Sequence, residues 1–188
     1  MTEIYILTDV EADGPIPGEF SMLSLDSIAL DKKGEVLGEF YKKLVPLPTA
    51  LQDKKTMQFW KDNPKAYQEA TTNAEDPQKV MTEYNKWLKK LKKDTKKELV
   101  FIAYPVTVDF MFVYWYLIKF TGESPFGYSG LDMKTLAMSI LKKDFSEITK
   151  NKMPKSWLKH PGQKYHFALQ DAKEQVFMLI KMLEELKK

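Results

Sequence analysis

Residues 6–14 read ILTDVEADG, an apolar, β-branched run that ends in acids at Asp9 and Glu11, with Asp13 and Gly14 just behind. Residues 4–10 have the composition of a strand buried on both faces. Side chains alternate along a strand, so Asp9 and Glu11 project to one side, about 7 Å apart. Two carboxylates held there repel each other and are costly in a buried sheet unless a cation lies between them. A hard divalent ion with oxygen ligands is the natural occupant. The other reading ends the strand at Asp9 and leaves both acids in a solvated loop; local sequence leaves the two open.

Two rival motifs fail. A helix-flanked calcium loop needs a bidentate Glu at its twelfth position, which here is Phe20, and a strand leads in where a helix is required. A phosphatase-type aspartyl nucleophile also follows a first strand, but the meander that comes next stands where a crossover helix belongs.

Outward from this stretch, residues 20–30 and 35–45 read as strands joined by the turn DKKG at 31–34. A short helix broken at Pro64 follows, then a helix with Asp76 as N-cap, Pro77 at its first position, and Val80, Tyr84, Trp87, Leu88 and Leu91 as its apolar stripe. Residues 98–105 form another buried strand, 109–120 an apolar helix and 132–141 a further one. Residues 142–163 are lysine-rich with two prolines and read as irregular. The clearest helix spans 167–186, with Ala168, Ala172, Val176, Leu179, Ile180 and Leu183 on one face. The order of elements gives an α/β class, helices packed on a central sheet.

At 188 residues, 44% apolar, the chain suits a single domain over 1–188. It has no cysteine, which excludes disulfides, thiolate metal sites and a cysteine nucleophile. All 29 basic residues are lysine, which excludes bidentate guanidinium forks and arginine fingers. A net charge of +3 is too weak to name a partner. The N-terminus lacks the basic region of a signal peptide, and the longest uncharged apolar run, 110–118, falls short of the ~20 residues that span a bilayer. A soluble, cytoplasmic protein without membrane association is expected.

Further candidates lie in YHFALQDAKEQ, where His166 precedes the last helix and Asp171 falls on the side of Ala168 and Ala172. An acid on the inward face of an apolar stripe calls for a role. His160, before Pro161, has no such neighbour and reads as a loop histidine. Asp109, at the start of an apolar helix, fits an N-cap or first-turn partner of the helix dipole as well as it fits chemistry.

Taken together, Asp-x-Glu on the first strand, a mid-chain Asp opening a helix and His-x4-Asp in the last helix resemble the three exonuclease motifs of the DEDD superfamily, in its histidine-containing (DEDDh) branch. The resemblance runs from about residue 4 to 182. It implies a ribonuclease H-like fold with a five-stranded mixed sheet, strand order 3-2-1-4-5, and helices on both faces. It further implies that Asp9, Glu11, Asp109 and Asp171 hold two Mg²⁺ ions, with Mn²⁺ able to substitute, and that His166 is the general base. The implied reaction is 3′–5′ exonucleolytic release of nucleoside 5′-monophosphates from single-stranded RNA or DNA, RNA slightly favoured, with a homodimer as one arrangement among relatives. The alternative is an inactive nucleic-acid-binding or interaction module on the same fold. The chain departs from the branch at Tyr104-Pro105, where many relatives carry His-Asn, at Val108, and at Ala12-Asp13-Gly14, where Thr-Thr-Gly is usual.

Softer features read as structure first. The seven lysines of 86–97 suit a solvated helix face better than a phosphate contact, Phe59 and Trp60 suit packing better than base stacking, and the aromatic run 110–116 suits core, or in part a dimer face.

Overall fold

The structure, a computed structural model, describes residues 3–158 and 168–187, and in the last helix the side chains from 174 onward. β1 (Glu3–Ala12), β2 (Met22–Leu30) and β3 (Val36–Lys43) form an antiparallel meander; β4 (Glu98–Ala103) pairs with β1 in parallel, and β5 (Gly130–Asp132) with β4. The sheet order is β3-β2-β1-β4-β5, the order that the resemblance implies. β5 has three residues, too few to carry a readable period, so no strand is legible there from the residues alone.

Helices cover both faces. On one, α3 (Pro77–Thr95) and α4 (Val106–Thr121) bury Tyr84, Leu88, Phe112 and Tyr116 against Ile4, Ile6 and Phe101. On the other, α5 (Met133–Leu141) and α6 (Ala168–Glu185) bury Met133, Met178, Leu179 and Met182 against Tyr5, Leu7 and Ile28. Because Asp9 and Glu11 share the parity of Tyr5 and Leu7, they project to the α5 and α6 side. α1 (Lys54–Asp62) and α2 (Pro64–Thr71) part at Asn63, as the proline predicts. Three 3₁₀ turns, Phe145–Glu147, Lys150–Lys152 and Lys155–Trp157, occupy the described part of the segment read as irregular.

Two helices differ from their sequence reading. α4 begins three residues before the predicted 109, because its first N–H, that of Val106, donates to Asp132 Oδ1 at 3.0 Å from the far end of β5. Asp109 is therefore a first-turn residue and not an N-cap. In α6 the buried positions are Gln175, Met178, Leu179 and Met182, while Val176, Ile180 and Leu183 are half-buried. The inward face is thus rotated toward a glutamine that a hydropathy stripe leaves out.

The softer features resolve toward structure. Lys89, Lys90 and Lys92 pair with Glu123, Asp94 and Glu98, on a helix that packs against the sheet face opposite Asp9. Trp60 is buried with Leu23, Ala66 and Ala70 and donates its indole N–H to the Ala12 carbonyl at 3.0 Å, whereas Phe59 is exposed. In the aromatic run, Phe112, Val113 and Tyr116 are core, while Phe110, Met111, Tyr114 and Trp115 join Pro17 and Ile118 around an open apolar groove of about 500 Å³. Among the described residues, no helix is long and apolar enough to cross a membrane.

Candidate active site

The site grows from a local feature of the sheet. β1 stays paired with β2 to its end, but its pairing with β4 stops at Leu7 and Ile102, where the chain turns away toward α4. The end of β1 therefore lacks a strand on that side, and the first turn of α4 fills the space. There the Val10 N–H donates to Asp109 Oδ1 at 2.9 Å. Strand and helix are thus tied by the residue that local sequence could not separate from a simple cap.

Asp109 is buried, 5% exposed. Burial foremost, and the charge of Asp9 next, push its carboxyl well above the usual carboxylate range, against the pull of the Val10 N–H. Asp9 and Asp109 are thus close enough to feel each other. Asp9 and Glu11 are half-buried at the mouth, so the strand continues through both acids and the solvated-loop reading of them does not hold. Directly across from Asp9 on β2 lies Asp26, fully buried.

From the other side comes α6. Gln175, 1% exposed, donates its side-chain N–H to Asp9 Oδ1 at 2.8 Å. Position 171 lies one turn earlier in the same row, which continues through Met178 and Met182. The Asp171 side chain, and His160 and His166 entirely, lie outside the described residues.

The neighbouring loop is built by the departure at Ala12-Asp13-Gly14. Asp13 is turned inward, its Oδ1 accepting from the Ser21 N–H while its own N–H donates to the Ser21 carbonyl. Gly14 lies on the Phe20 ring so closely that a Cβ there would meet ring carbon at 2.1 Å. Phe20, the residue that rules out a calcium loop, is therefore the lid of a closed turn.

The donor set fits a hard divalent cation. Every acid brought to the end of β1 offers carboxylate oxygen, and the raised carboxyl of Asp109 records what this crowding costs without a counter-charge. Among the described residues, no group of three histidines, cysteines or acids converges as a metal cluster; positions 166 and 171 belong to the remainder. Sequence reasoning named Asp9, Glu11 and Asp109 but not Asp26 or Gln175. Asp26 carried a signal, an acid in the middle of the apolar strand MLSLDSIAL. Gln175 carried none, since a lone glutamine on a helix reads as surface.

No protein-family profile matches the chain. It is 27% identical over 195 residues, 99% of its length and 96% of the relative's, to the 3′–5′ DNA exonuclease Cap18 of Escherichia coli. The nuclease domain of 3′hExo, a DEDDh family member solved bound to rAMP, superposes with a TM-score of 0.72 over 98% of this chain and 93% of that one, at 12% identity. The fold is that of the DEDDh 3′ exonucleases. The zinc-bound complex of E. coli exonuclease I with single-stranded DNA also shares it, with a TM-score of 0.68 and 14% identity over all of this chain but 41% of that one. Seen as a DEDDh fold, the meander, the parallel strand and the flanking helices follow the ribonuclease H-like order, and the end of β1 is where its three motif segments converge.

Proposed function

We propose that the protein is a divalent-metal-dependent 3′–5′ exonuclease that shortens single-stranded nucleic acid and releases nucleoside 5′-monophosphates. The observation that carries this reading is the pairing of strand and helix acids: Asp109, buried, caps the open end of β1 one residue from Asp9. No packing purpose requires two interacting carboxylates there.

Asp9, Glu11, Asp109 and Asp171 would hold the metal, two Mg²⁺ ions or Mn²⁺ in their place. When bound, such ions activate water and offset charge on the phosphate and the departing oxygen. The chain's own residues supply the rest. β1 fixes Asp9 and Glu11 on one face; the Val10 N–H fixes the rotamer of Asp109; His166 takes the proton of the attacking water, with an ordinary histidine pKa of about 6.5 suited to neutral pH. The relative that matches along the whole chain is named a DNA exonuclease, which favours single-stranded DNA over the RNA that sequence reading placed slightly ahead.

A time course on 5′-labelled single-stranded DNA and RNA of equal sequence, with Mg²⁺, Mn²⁺ or EDTA, tests the proposal. The expected result is a metal-dependent ladder shortening from the 3′ end, slowed roughly 100-fold or more in His166→Ala. A cyclic or 2′-phosphate product from RNA would overturn the water attack. Intact substrate in every lane, from folded protein, would favour the binding module.

A further inference from the structure

The four motif acids and the histidine leave one buried polar side chain at the site without a role, that of Gln175. It enters the face from α6 and donates to Asp9 Oδ1 at 2.8 Å, and it is 1% exposed. Its Oε1 is also buried, with no hydrogen-bond partner among the described residues. Burying an amide on a helix face otherwise made of Met178, Leu179 and Met182 is unfavourable for packing alone. An apolar residue would serve the core better.

We propose that Gln175 is a positioning residue for Asp9, holding one carboxylate oxygen so that the other is presented to the divalent cation. This rests on the exonuclease reading of the site. A carboxylate at a strand end rotates about its last bond, and a fixed donor on one oxygen removes that freedom. The donor is neutral at every working pH, so it orients Asp9 without competing with a cation for the site, as a lysine there would. Its place in the helix gives it a second task. Position 175 follows 171 by one turn, so the bond from Gln175 to β1 sets the register at which α6 presents Asp171 to Asp9.

The test compares wild type with Gln175→Met, which keeps length and helix preference but has no donor, and with Gln175→Leu as a second apolar variant. Two readouts are needed: cleavage kinetics on single-stranded DNA, and the rise in melting temperature caused by Mn²⁺ alone, without substrate. The proposal expects folded variants whose kcat falls roughly 10- to 100-fold with KM for the oligonucleotide unchanged, whose half-saturating Mg²⁺ rises by a similar factor, and whose Mn²⁺-induced shift shrinks. Wild-type kcat, half-saturating Mg²⁺ and Mn²⁺ shift in both variants would overturn it. So would a loss of metal-free stability that accounts for all of the lost activity while the Mn²⁺ shift stays at the wild-type value. A wild type that cleaves nothing refutes the exonuclease reading instead, and the Mn²⁺ shifts then decide the Gln175 proposal by themselves.

Discussion

Asp109 is held in a state that favours its proton: burial and the charge of Asp9 raise its pKa above the ordinary 3.8. Without metal, the folded state therefore binds more protons than the unfolded chain at pH values above about 4, and stability falls as pH rises through the folded pKa. Asp109→Asn keeps an acceptor for the Val10 N–H and removes the charge. The metal-free variant should melt a few degrees higher than wild type near pH 7, lose that advantage near pH 4, and be inactive; calorimetry across pH with a cleavage assay checks all three. Stabilisation together with inactivity would mark the residue as kept for chemistry at a cost to the fold. At this scale Asp9, Glu11 and Asp109 were legible because acids in apolar segments are conspicuous. Asp26 was equally conspicuous and still went unweighed, whereas Gln175 becomes visible only once α6 is docked on β1.

The elements that carry these residues are fixed by a few side-chain bonds. Asp132 accepts from the Val106 N–H with one oxygen and from the Thr135 N–H and hydroxyl with the other, capping α4 and α5 at once. Burial works to raise its pKa, yet these hydrogen bonds outweigh it and hold the group below 3.8. Its contribution is present above that value and is lost as pH falls through the lower folded pKa. Asp132→Ala should cost about 2 kcal/mol, roughly 1 for each cap, read from urea denaturation at pH 7 with an unchanged m-value. Activity should fall as well, because the start of α4 carries Asp109. The three-residue β5 was not legible, and neither was the true start of α4, and the two failures have one cause. Both depend on Asp132, whose second bond spans 26 positions and leaves no local pattern. α3, by contrast, was legible from Asp76, Pro77 and its stripe, since all its signals are local.

As a whole the molecule is a sheet between two separate cores, and the site opens where the sheet loses a strand. The α6 side depends on one helix that packs on both β1 and β2. Leu179→Ala, at a fully buried position, should destabilise by about 2–5 kcal/mol in urea denaturation. The large-scale order of the sheet was legible because the ordered motifs resemble a known branch, not because periodicity fixes topology. The placement of α6 has a further consequence, for the making of the protein. Asp9 is bonded by Gln175, 166 positions later. Chains leave the ribosome N-terminus first, at about 5–20 residues per second, so the meander waits roughly ten to thirty seconds for the helix that completes its acidic end. A nascent chain therefore holds its carboxylates long before it can arrange them, and stays harmless to the message from which it is being read.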